Sequence, residues 1–339
     1  MIGVGRPEDK YVKIPAIIHA TRIGYKYLSL HGLESGTDYD SDTNIFFEQF
    51  REALERINRR KVDMPRAVYI VNQLKLSLGA NDLGHAFFKL LQNGVEGYRL
   101  VDFDEPANNS FHVLTELPYA NGEDSFRPDI IFLVNGMPLG FMEAKRQNNK
   151  DGIRAERDRM VARFSNEAFR RFVNITQVMA FSNNQEYDDN DRHQLQGSFY
   201  ASSAYGRLYY NHFREEDDAG MAAIVEPRNE TVEKYVLKDN NLTSYFGTAE
   251  YESSIHPDTP ANRIVSSVFS PERFLFLLHY GIAYVEKTND EGVKELQKHV
   301  MRYPQLFATR AVRAKLDREC GRASSGTRRA AARRRSRSS

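Results

Sequence analysis

The 339-residue sequence contains a single cysteine, Cys320, and no tryptophan. One thiol cannot build an intramolecular disulfide framework or a cysteine-based zinc site, so both are excluded. No apolar run approaches the roughly 18 residues of a membrane helix, and residues 1–13 lack the charged and then apolar pattern of a signal peptide. The sequence also has no Gly-x-x-x-x-Gly-Lys-[Ser/Thr] loop to cradle a nucleotide phosphate, so ATP binding is not expected. A cytoplasmic protein is predicted.

Charge is distributed unevenly along the chain, although the net charge is only +1. Residues 318–339 carry eight arginines and one glutamate, a net charge of +7, which leaves 39 basic and 45 acidic residues, or −6, for residues 1–317. The larger part therefore has no global basic footprint for nucleic acid, and any contact with DNA must be local. The Arg-rich segment cannot bury a core and is predicted to be disordered. It is either a basic DNA-binding arm or out-of-frame sequence after a frameshift.

A β-hairpin is predicted between residues 130 and 142. Ile130 to Val134 and Leu139 to Met142 are apolar runs of the kind that form buried strands. Asn135-Gly136 lies between them and is the strongest short hairpin signal, because both residues tolerate positive φ. A hairpin closed at this turn brings its two open ends side by side.

Three charged residues lie at these open ends. Asp129 precedes the first strand, and Glu143 and Lys145 end the second. Residues two apart on a strand point to the same face, so Glu143 and Lys145 share one face. Carboxylate oxygens suit hard divalent cations, and Mg²⁺ is usually held by one or two carboxylates plus substrate phosphate. A neighbouring lysine can orient water or stabilise phosphate charge, although strand ends also carry charge simply where they meet solvent.

The elements around the hairpin predict an α/β fold, with a mixed β-sheet flanked by helices. Helices are predicted over residues 43–58, 64–78, 82–93, 153–164 and 271–279. Strands outside the hairpin are predicted over residues 98–103, 111–117, 177–181 and 282–285. Asp42 or Thr43 is the expected N-cap of the first helix. Leu74, Leu76 and Leu78 are expected in the core.

The residues around the hairpin resemble a known nuclease family. Arg127-Pro128-Asp129 and Glu143-Ala144-Lys145 resemble the PD-(D/E)xK nuclease signature. With the turn Asn135-Gly136-Met137-Pro138-Leu139 between them, they look like the nuclease domain of the R subunit of type I restriction enzymes, which carries the restriction and motor activities. This resemblance covers residues 35–316.

The resemblance implies a PD-(D/E)xK restriction-endonuclease-like core and Mg²⁺-dependent hydrolysis of DNA phosphodiester bonds. Asp129, Glu143 and the backbone carbonyl of Ala144 would be metal ligands. Lys145 would position the nucleophile or stabilise charge in the transition state. Because folds of this kind often direct an acid of their first helix at the metal, Glu48 is a further catalytic candidate.

The helix predicted after the hairpin is dense in charge. It is either a solvent-exposed helix with internal ion pairs or a basic face that contacts DNA phosphates. Arg157 and Arg163 on this helix, together with Arg127 before the hairpin, are the predicted DNA-binding residues. The Gln-x-x-x-Tyr motif that R subunits carry here is missing, because the nearest matching positions are Met160 and Phe164.

Arg302-Tyr303-Pro304-Gln305 resembles the Arg-Tyr-x-Gln helix that opens the helicase motor of R subunits. The phosphate loop that should follow is absent. We therefore divide the chain into a nuclease domain over residues 1–260, a connector with the start of a motor over 261–317, and the tail over 318–339.

The resemblance implies DNA and the methylation and specificity subunits of a type I complex as partners. Two other interpretations stay open. The chain could be a non-catalytic module that binds DNA or these partners, or a stand-alone PD-(D/E)xK nuclease that needs no ATP.

Overall fold

A computed structural model describes residues 9–121, 123–145, 152–187, 196–288, 292, 294–316 and 318. Its internal contacts divide the chain into two units, Met1–Val300 and Met301–Ser339. Nearly all of the Arg-rich segment, predicted to be disordered, lies outside the described residues. The predicted domain limits at residues 260 and 317 stay predictions.

The helices of the first unit occur both before and after the predicted hairpin. The α-helices are α1 (Ile14–Arg22), α2 (Phe47–Asn58), α3 (Met64–Leu78), α4 (His85–Asn93), α5 (Gly152–Ser165), α6 (Arg170–Ile175), α7 (Asp218–Ala223), α8 (Glu230–Asp239), α9 (Ala249–Ser254), α10 (Pro260–Ile264) and α11 (Pro271–Phe276). Short π-helical segments precede α1, follow α10 and follow α11, at Asp9–Lys13, Val265–Phe269 and Leu277–Gly281.

The strands form one large sheet and two small hairpins. They are β1 (Lys26–Tyr27), β2 (Phe111–Thr115), β3 (Tyr119–Asn121), β4 (Asp124–Phe126), β5 (Ile130–Val134), β6 (Met137–Ala144), β7 (Val178–Ser182), β8 (Ser198–Ala201), β9 (Asn211–His212), β10 (Ile282–Thr288) and β11 (Lys294–Val300). The large sheet has the order β1-β2-β5-β6-β7-β8-β9, and β3-β4 and β10-β11 pair separately. The pairs β1-β2 and β6-β7 are parallel, whereas the other neighbours are antiparallel. The predicted mixed sheet with flanking helices is confirmed.

Helices cover both faces of this sheet. On one face Phe141 of β6 packs with Ile153, Met160 and Phe164 of α5 in an apolar cluster. On the other face Phe132 of β5 stacks on Phe269, with 4.0 Å between ring centroids. Every residue of β6 is buried, as expected for a central strand enclosed on both sides. The end of β6 therefore presents its side chains to α5 in a largely dry environment.

The hairpin forms at the predicted turn, and the turn itself is buried. Asn135 and Gly136 have φ of 53° and 76°, the left-handed region that the sequence predicted. The Asn135 amide donates to the carbonyl of Leu100 at 2.9 Å and accepts from the backbone of Ser110 at 2.8 Å. A Cβ added to Gly136 would lie 2.7 Å from the carbonyl oxygen of Phe46. The turn is therefore fixed against the start of α2 as well as closing the hairpin.

The strand predicted over residues 98–103 is wrong. Residues 99–103 adopt no regular structure, and Tyr98 makes only an isolated bridge with Val95. The carboxylate of Asp102 accepts from the backbone of Asp104 and Glu105, and its own backbone N–H donates to Asn109 Oδ1. Local bonds of this kind compete with a strand ladder, and here they prevail.

The predicted start of α2 is wrong by about one turn. The helix begins at Phe47, and no side chain caps it. Asp40 accepts from the backbone and hydroxyl of Thr43 at 2.9 Å, so Thr43 stabilises a preceding turn. Asn44 then has a φ of 56°, which a helix cannot continue through. Leu76 is also misassigned, since it is 73% exposed while Leu74 and Leu78 are fully buried.

The second unit begins at Met301 and its described part is helical over residues 303–316. The side chain of Gln305 accepts a hydrogen bond of 2.8 Å from the backbone of Arg302, which caps this helix. In the described part of the chain, no helix combines the length and hydrophobicity needed to cross a membrane.

Candidate active site

The closed hairpin brings Asp129, Glu143 and Lys145 together, as predicted. Ile130 pairs with Met142, so the residues that flank this pair lie at one end of the sheet. The Nζ of Lys145 lies 3.8 Å from Asp129 Oδ2 and 3.6 Å from Glu143 Oε2. The side chains of Glu143 and Lys145 are 5% and 11% exposed, whereas Asp129 is 25% exposed. Asp129 is thus the member of the group nearest to solvent.

Ala144 contributes to the site through its backbone. Its N–H donates to Asp129 Oδ2 at 2.8 Å, across the mouth of the hairpin. This bond fixes the orientation of the Asp129 carboxylate. The Lys145 backbone N–H donates to the carbonyl of Ser182 on β7 at 2.8 Å, so the end of β6 is anchored on both sides. The predicted role of the Ala144 carbonyl as a metal ligand stays a prediction.

Glu156 on α5 joins the cluster, and the sequence reasoning did not select it. Its Oε2 lies 3.2 Å from Lys145 Nζ, closer than the carboxylate oxygens of Asp129 and Glu143. Its side chain is only 2% exposed. Arg159 also pairs with Oε2, and Arg163 lies 3.4 Å from Oε1. A single buried carboxylate is therefore shared by one ammonium and two guanidinium groups.

The charged helix α5 contains internal ion pairs, as one of its two interpretations predicted, and the predicted contact with DNA phosphates stays a prediction. Glu156 follows Ile153 and precedes Met160 and Phe164 on the buried stripe of α5, at the i, i+3, i+7 and i+11 positions of one helical face. An acid in an otherwise apolar stripe is the signal that could have identified it. Arg159 and Arg163 border this stripe, since both pair with Glu156, and Arg159 is the more exposed of the two. The helix is thus neither wholly solvated nor simply a basic face.

Burial and the neighbouring carboxylates disfavour the ionised form of Glu143 when no cation is bound. Burial, followed by the neighbouring charges of Asp129 and Glu156, raises the pKa of Glu143 well above its usual range, and Lys145 opposes this only in part. Among the described residues its Oε1 is buried and has no hydrogen-bond partner. A buried carboxylate oxygen without a partner indicates a missing cationic or donor group.

These donors fit a divalent cation held by two carboxylates. Asp129, directly before β5, and Glu143 on β6 supply hard oxygens, and Mg²⁺ commonly takes one or two carboxylates plus water and substrate phosphate. In the described part of the chain, no group of three or more His, Cys, Asp or Glu side chains could hold a metal ion. The residues present therefore fit a site in which Asp129 and Glu143 would be the side-chain ligands, and water and substrate phosphate would complete the coordination.

Glu48 is placed in a different environment from the cluster. It lies in the first turn of α2 and forms an ion pair with Arg51 at 2.6 Å. The hydrogen bonds from Arg51 lower the pKa of Glu48, and its side chain is largely exposed. The contacts found for Glu48 are thus with its own helix. Its catalytic role stays a prediction without a supporting contact.

The predicted DNA-binding arginines differ in their partners. Arg127 is exposed and lies 3.7 Å from Glu116, beside the start of β5. Arg157 pairs with its neighbour Asp158 at 3.0 Å. Arg163 is the one of the three that the structure connects to the carboxylate cluster, through Glu156.

Tyr210 brings a second polar group close to the cluster. Its ring stacks on Phe181 of β7, with 4.6 Å between centroids, and Phe181 is paired with Glu143 in the sheet. Its hydroxyl is buried and has no hydrogen-bond partner within the described ranges. Burial, and then the charge of Glu156, raise the pKa of this hydroxyl. Tyr210, from the connection between β8 and β9, packs against the apolar cluster that contains Met160 and Phe164. These two residues occupy the positions of the Gln-x-x-x-Tyr motif, so Tyr210 is a polar group close to the place where the motif is missing.

The chain matches a known protein family. Residues 6–193 match the family described as type I restriction enzyme R protein N terminus. This match covers more than half of the chain. The chain belongs to this family. The resemblance inferred from the hairpin residues is therefore confirmed, and the match includes the whole hairpin and helix α5.

Three relatives are type I restriction endonuclease subunits. The chain is 33% identical over 120 residues to the HindI endonuclease subunit of Haemophilus influenzae, which covers 30% of the chain and 11% of the relative. It is 23% identical over 224 residues to the putative MjaVIIP endonuclease subunit of Methanocaldococcus jannaschii, covering 65% of the chain and 16% of that protein. For the putative MjaIXP endonuclease subunit of the same organism the identity is 26% over 178 residues, covering 45% and 17%. The matched regions are thus a small part of each relative.

Proposed function

We propose that this R-protein N-terminal chain hydrolyses phosphodiester bonds of DNA with the help of Mg²⁺. The observation that supports this most is the convergence of Asp129, Glu143 and Lys145 at one hairpin mouth, in a chain whose relatives are named endonuclease subunits. The unpartnered Oε1 of Glu143 adds support, because it is a buried oxygen in need of a cation.

Asp129 and Glu143 would hold the metal. When bound, Mg²⁺ would polarise the phosphate and make water a better nucleophile. Lys145 contributes an ammonium that stays within 3.8 Å of both carboxylates and can stabilise charge on a phosphate oxygen. The N–H of Ala144 orients Asp129, and the apolar packing of β6 on α5 restricts water to the open side. Glu143 lies on β6, and Asp129 and Lys145 lie directly next to the ends of β5 and β6, so the central strands position all three.

DNA would approach from the side where Asp129 is exposed. Arg127, two residues before Asp129, and Arg157 and Arg163 of α5 would contact the DNA, because guanidinium groups pair well with backbone phosphates. As a member of a type I restriction family, the chain would have DNA and the methylation and specificity subunits as partners. The cytoplasmic location inferred from the sequence also stays a prediction. ATP binding is not expected of this chain.

The test is cleavage of supercoiled plasmid DNA by the full chain in Mg²⁺ or Mn²⁺. Lys145→Met should lower the cleavage rate at least about 100-fold while the protein stays folded, because the charge that stabilises the transition state is lost. Lys75→Met is the matched control. Lys75 also pairs with two carboxylates, Asp40 and Asp42, at a different place in the fold, and its removal should leave cleavage unchanged.

Two outcomes would contradict the proposal. Cleavage by Lys145→Met at the wild-type rate would exclude Lys145 from the chemistry. Absence of metal-dependent cleavage by the wild-type chain, with DNA binding retained, would favour the alternative of a non-catalytic binding module.

A further inference from the structure

Glu156 occupies a position that packing alone would give to an apolar side chain. Its neighbours on the buried stripe of α5 are Ile153, Met160 and Phe164, each at most 2% exposed. Burying a carboxylate costs several kcal/mol unless charged partners compensate it. Here three cations surround it, and the buried one is Lys145. The chain therefore keeps an acid at a costly position beside the residue assigned to the chemistry.

The partners of Lys145 are not equivalent. Asp129 and Glu143 lie on the hairpin at 3.8 and 3.6 Å, whereas Glu156 approaches from α5 at 3.2 Å. When the two hairpin acids hold a divalent cation, their charge is neutralised and the cation repels the ammonium. Among the described carboxylates next to Lys145, Glu156 is then the one that can keep it in place. An ammonium on a flexible four-carbon stem needs such an anchor to act at a defined position.

Glu156 is itself held from the solvent side. Arg159, which is 56% exposed, pairs with the same Oε2 that contacts Lys145, and Arg163 pairs with Oε1. Arg163 also lies over the ring of Phe126, 5.0 Å from its centroid. The carboxylate is therefore restrained on both oxygens, which fixes the point towards which Lys145 is directed.

We propose that Glu156 is a positioning residue for Lys145, held in place by Arg159 and Arg163. The inference rests on the proposed nuclease function and adds a residue to it. Glu156 itself is neither a metal ligand nor a group that touches the reacting atoms. Its role is to hold the ammonium while Asp129 and Glu143 are engaged with the metal.

The test compares the full chain with Glu156→Gln, using Mn²⁺ and supercoiled plasmid DNA. Misplacing a catalytic group by about 1 Å can cost 100-fold, so kcat should fall roughly 10- to 100-fold, with KM within about threefold of the wild type. Mn²⁺ affinity measured by calorimetry should also stay within about threefold, because both carboxylate ligands, Asp129 and Glu143, are retained. Glu156→Asp keeps the charge on a shorter stem and should lie between the two, about threefold below the wild type.

Glu233→Gln is the matched control. Glu233 is also a helical glutamate with a 2% exposed side chain. It lies on α8 and pairs with Arg228, which precedes this helix. The same chemical change there should lower stability and leave kcat unaltered. A merely structural role for Glu156 would make the two variants alike, with a lower melting temperature and wild-type kcat.

Four results would overturn the inference. The first two concern Glu156→Gln: wild-type kcat, or a raised KM at unchanged kcat. The third is loss of Mn²⁺ binding in this variant, which would make Glu156 a ligand. The fourth applies if Glu156→Gln does not fold, and it is wild-type kcat in Glu156→Asp. If the wild-type chain binds Mn²⁺ but cleaves no DNA, the proposed function fails separately. Crystal structures of the Mn²⁺-loaded proteins then decide, since positioning predicts a displaced Lys145 Nζ in Glu156→Gln and an unmoved Nζ refutes it.

Discussion

Lys298 gives a prediction about stability that can be worked out in some detail. It lies on β11 and is only 3% exposed. Its Nζ donates to the carbonyl of Thr176 at 2.7 Å and to Ser203 Oγ at 3.2 Å. Burial lowers the pKa of Lys298 from 10.5 to about 7, and the charge of Asp82 opposes this shift. The folded state therefore releases a proton that the unfolded chain still holds between pH 7 and 10.5.

The sign of the pH dependence follows from this difference. The unfolded chain binds more protons in that window, so the free energy of unfolding rises with pH. With 1.36 kcal/mol for each pKa unit, the protonated lysine costs the fold about 5 kcal/mol below pH 7. About 2 kcal/mol of this cost is relieved between pH 7 and pH 9.

The variant Lys298→Met isolates this contribution. Urea unfolding at pH 7, 8 and 9 should show that the wild type gains about 2 kcal/mol relative to the variant over this range. The loss of two hydrogen bonds in the variant adds an offset that does not depend on pH. Lys234→Met, at an exposed lysine that pairs with Glu230, should follow the wild type in parallel. The reasoning would be refuted if the difference in unfolding free energy between the wild type and Lys298→Met stayed constant from pH 7 to pH 9.

Two further predictions concern the hairpin turn and helix α3. Gly136→Ala should destabilise the protein by roughly 3 kcal/mol or more in urea unfolding, because the added Cβ meets backbone atoms of α2. Gly97→Ala is its control, because Gly97 has a φ of +75° and a Cβ added there would meet nothing within 4 Å. This variant should lose only about 1–2 kcal/mol of unfolding free energy. Equal losses in the two variants would contradict the explanation from packing. Leu74→Ala should cost about 2–5 kcal/mol and Leu76→Ala less than about 0.5 kcal/mol, and a large effect at Leu76 would contradict its exposure.

Much of the site could be predicted because its signals are local. The Asn135-Gly136 turn starts the pairing of β5 with β6. A register shift of one residue between Phe132 and Leu133 then pairs Ile130 with Met142 and brings Asp129 next to Glu143, and this shift does not follow from the turn. The burial of the turn could not be predicted in this way. It depends on bonds from Asn135 to Leu100, Asn109 and Ser110, residues that are 25 or more positions distant in the sequence.

The missed residue was hidden by a competing pattern. Glu156 is one of many charges on α5, and charge density usually indicates a solvated helix. Its position on the apolar stripe was the weaker signal and proved to be the informative one. Residues 98–103 likewise have the composition of a strand. The carboxylate of Asp102 instead accepts local hydrogen bonds from the backbone N–H groups of Asp104 and Glu105. At Glu156 the deciding partner, Lys145, comes from another part of the chain, whereas at Asp102 the deciding bonds are local.

The most direct test of the account is calorimetric titration of Mn²⁺ into the full chain, beside the variant Asp129→Ala. The account predicts heat of binding in the wild type that disappears in the variant, because Asp129 and the unpartnered Oε1 of Glu143 would hold the ion at the hairpin mouth. Binding of equal affinity in both proteins would place the ion elsewhere and contradict the assignment of this cluster as a metal-dependent nuclease site.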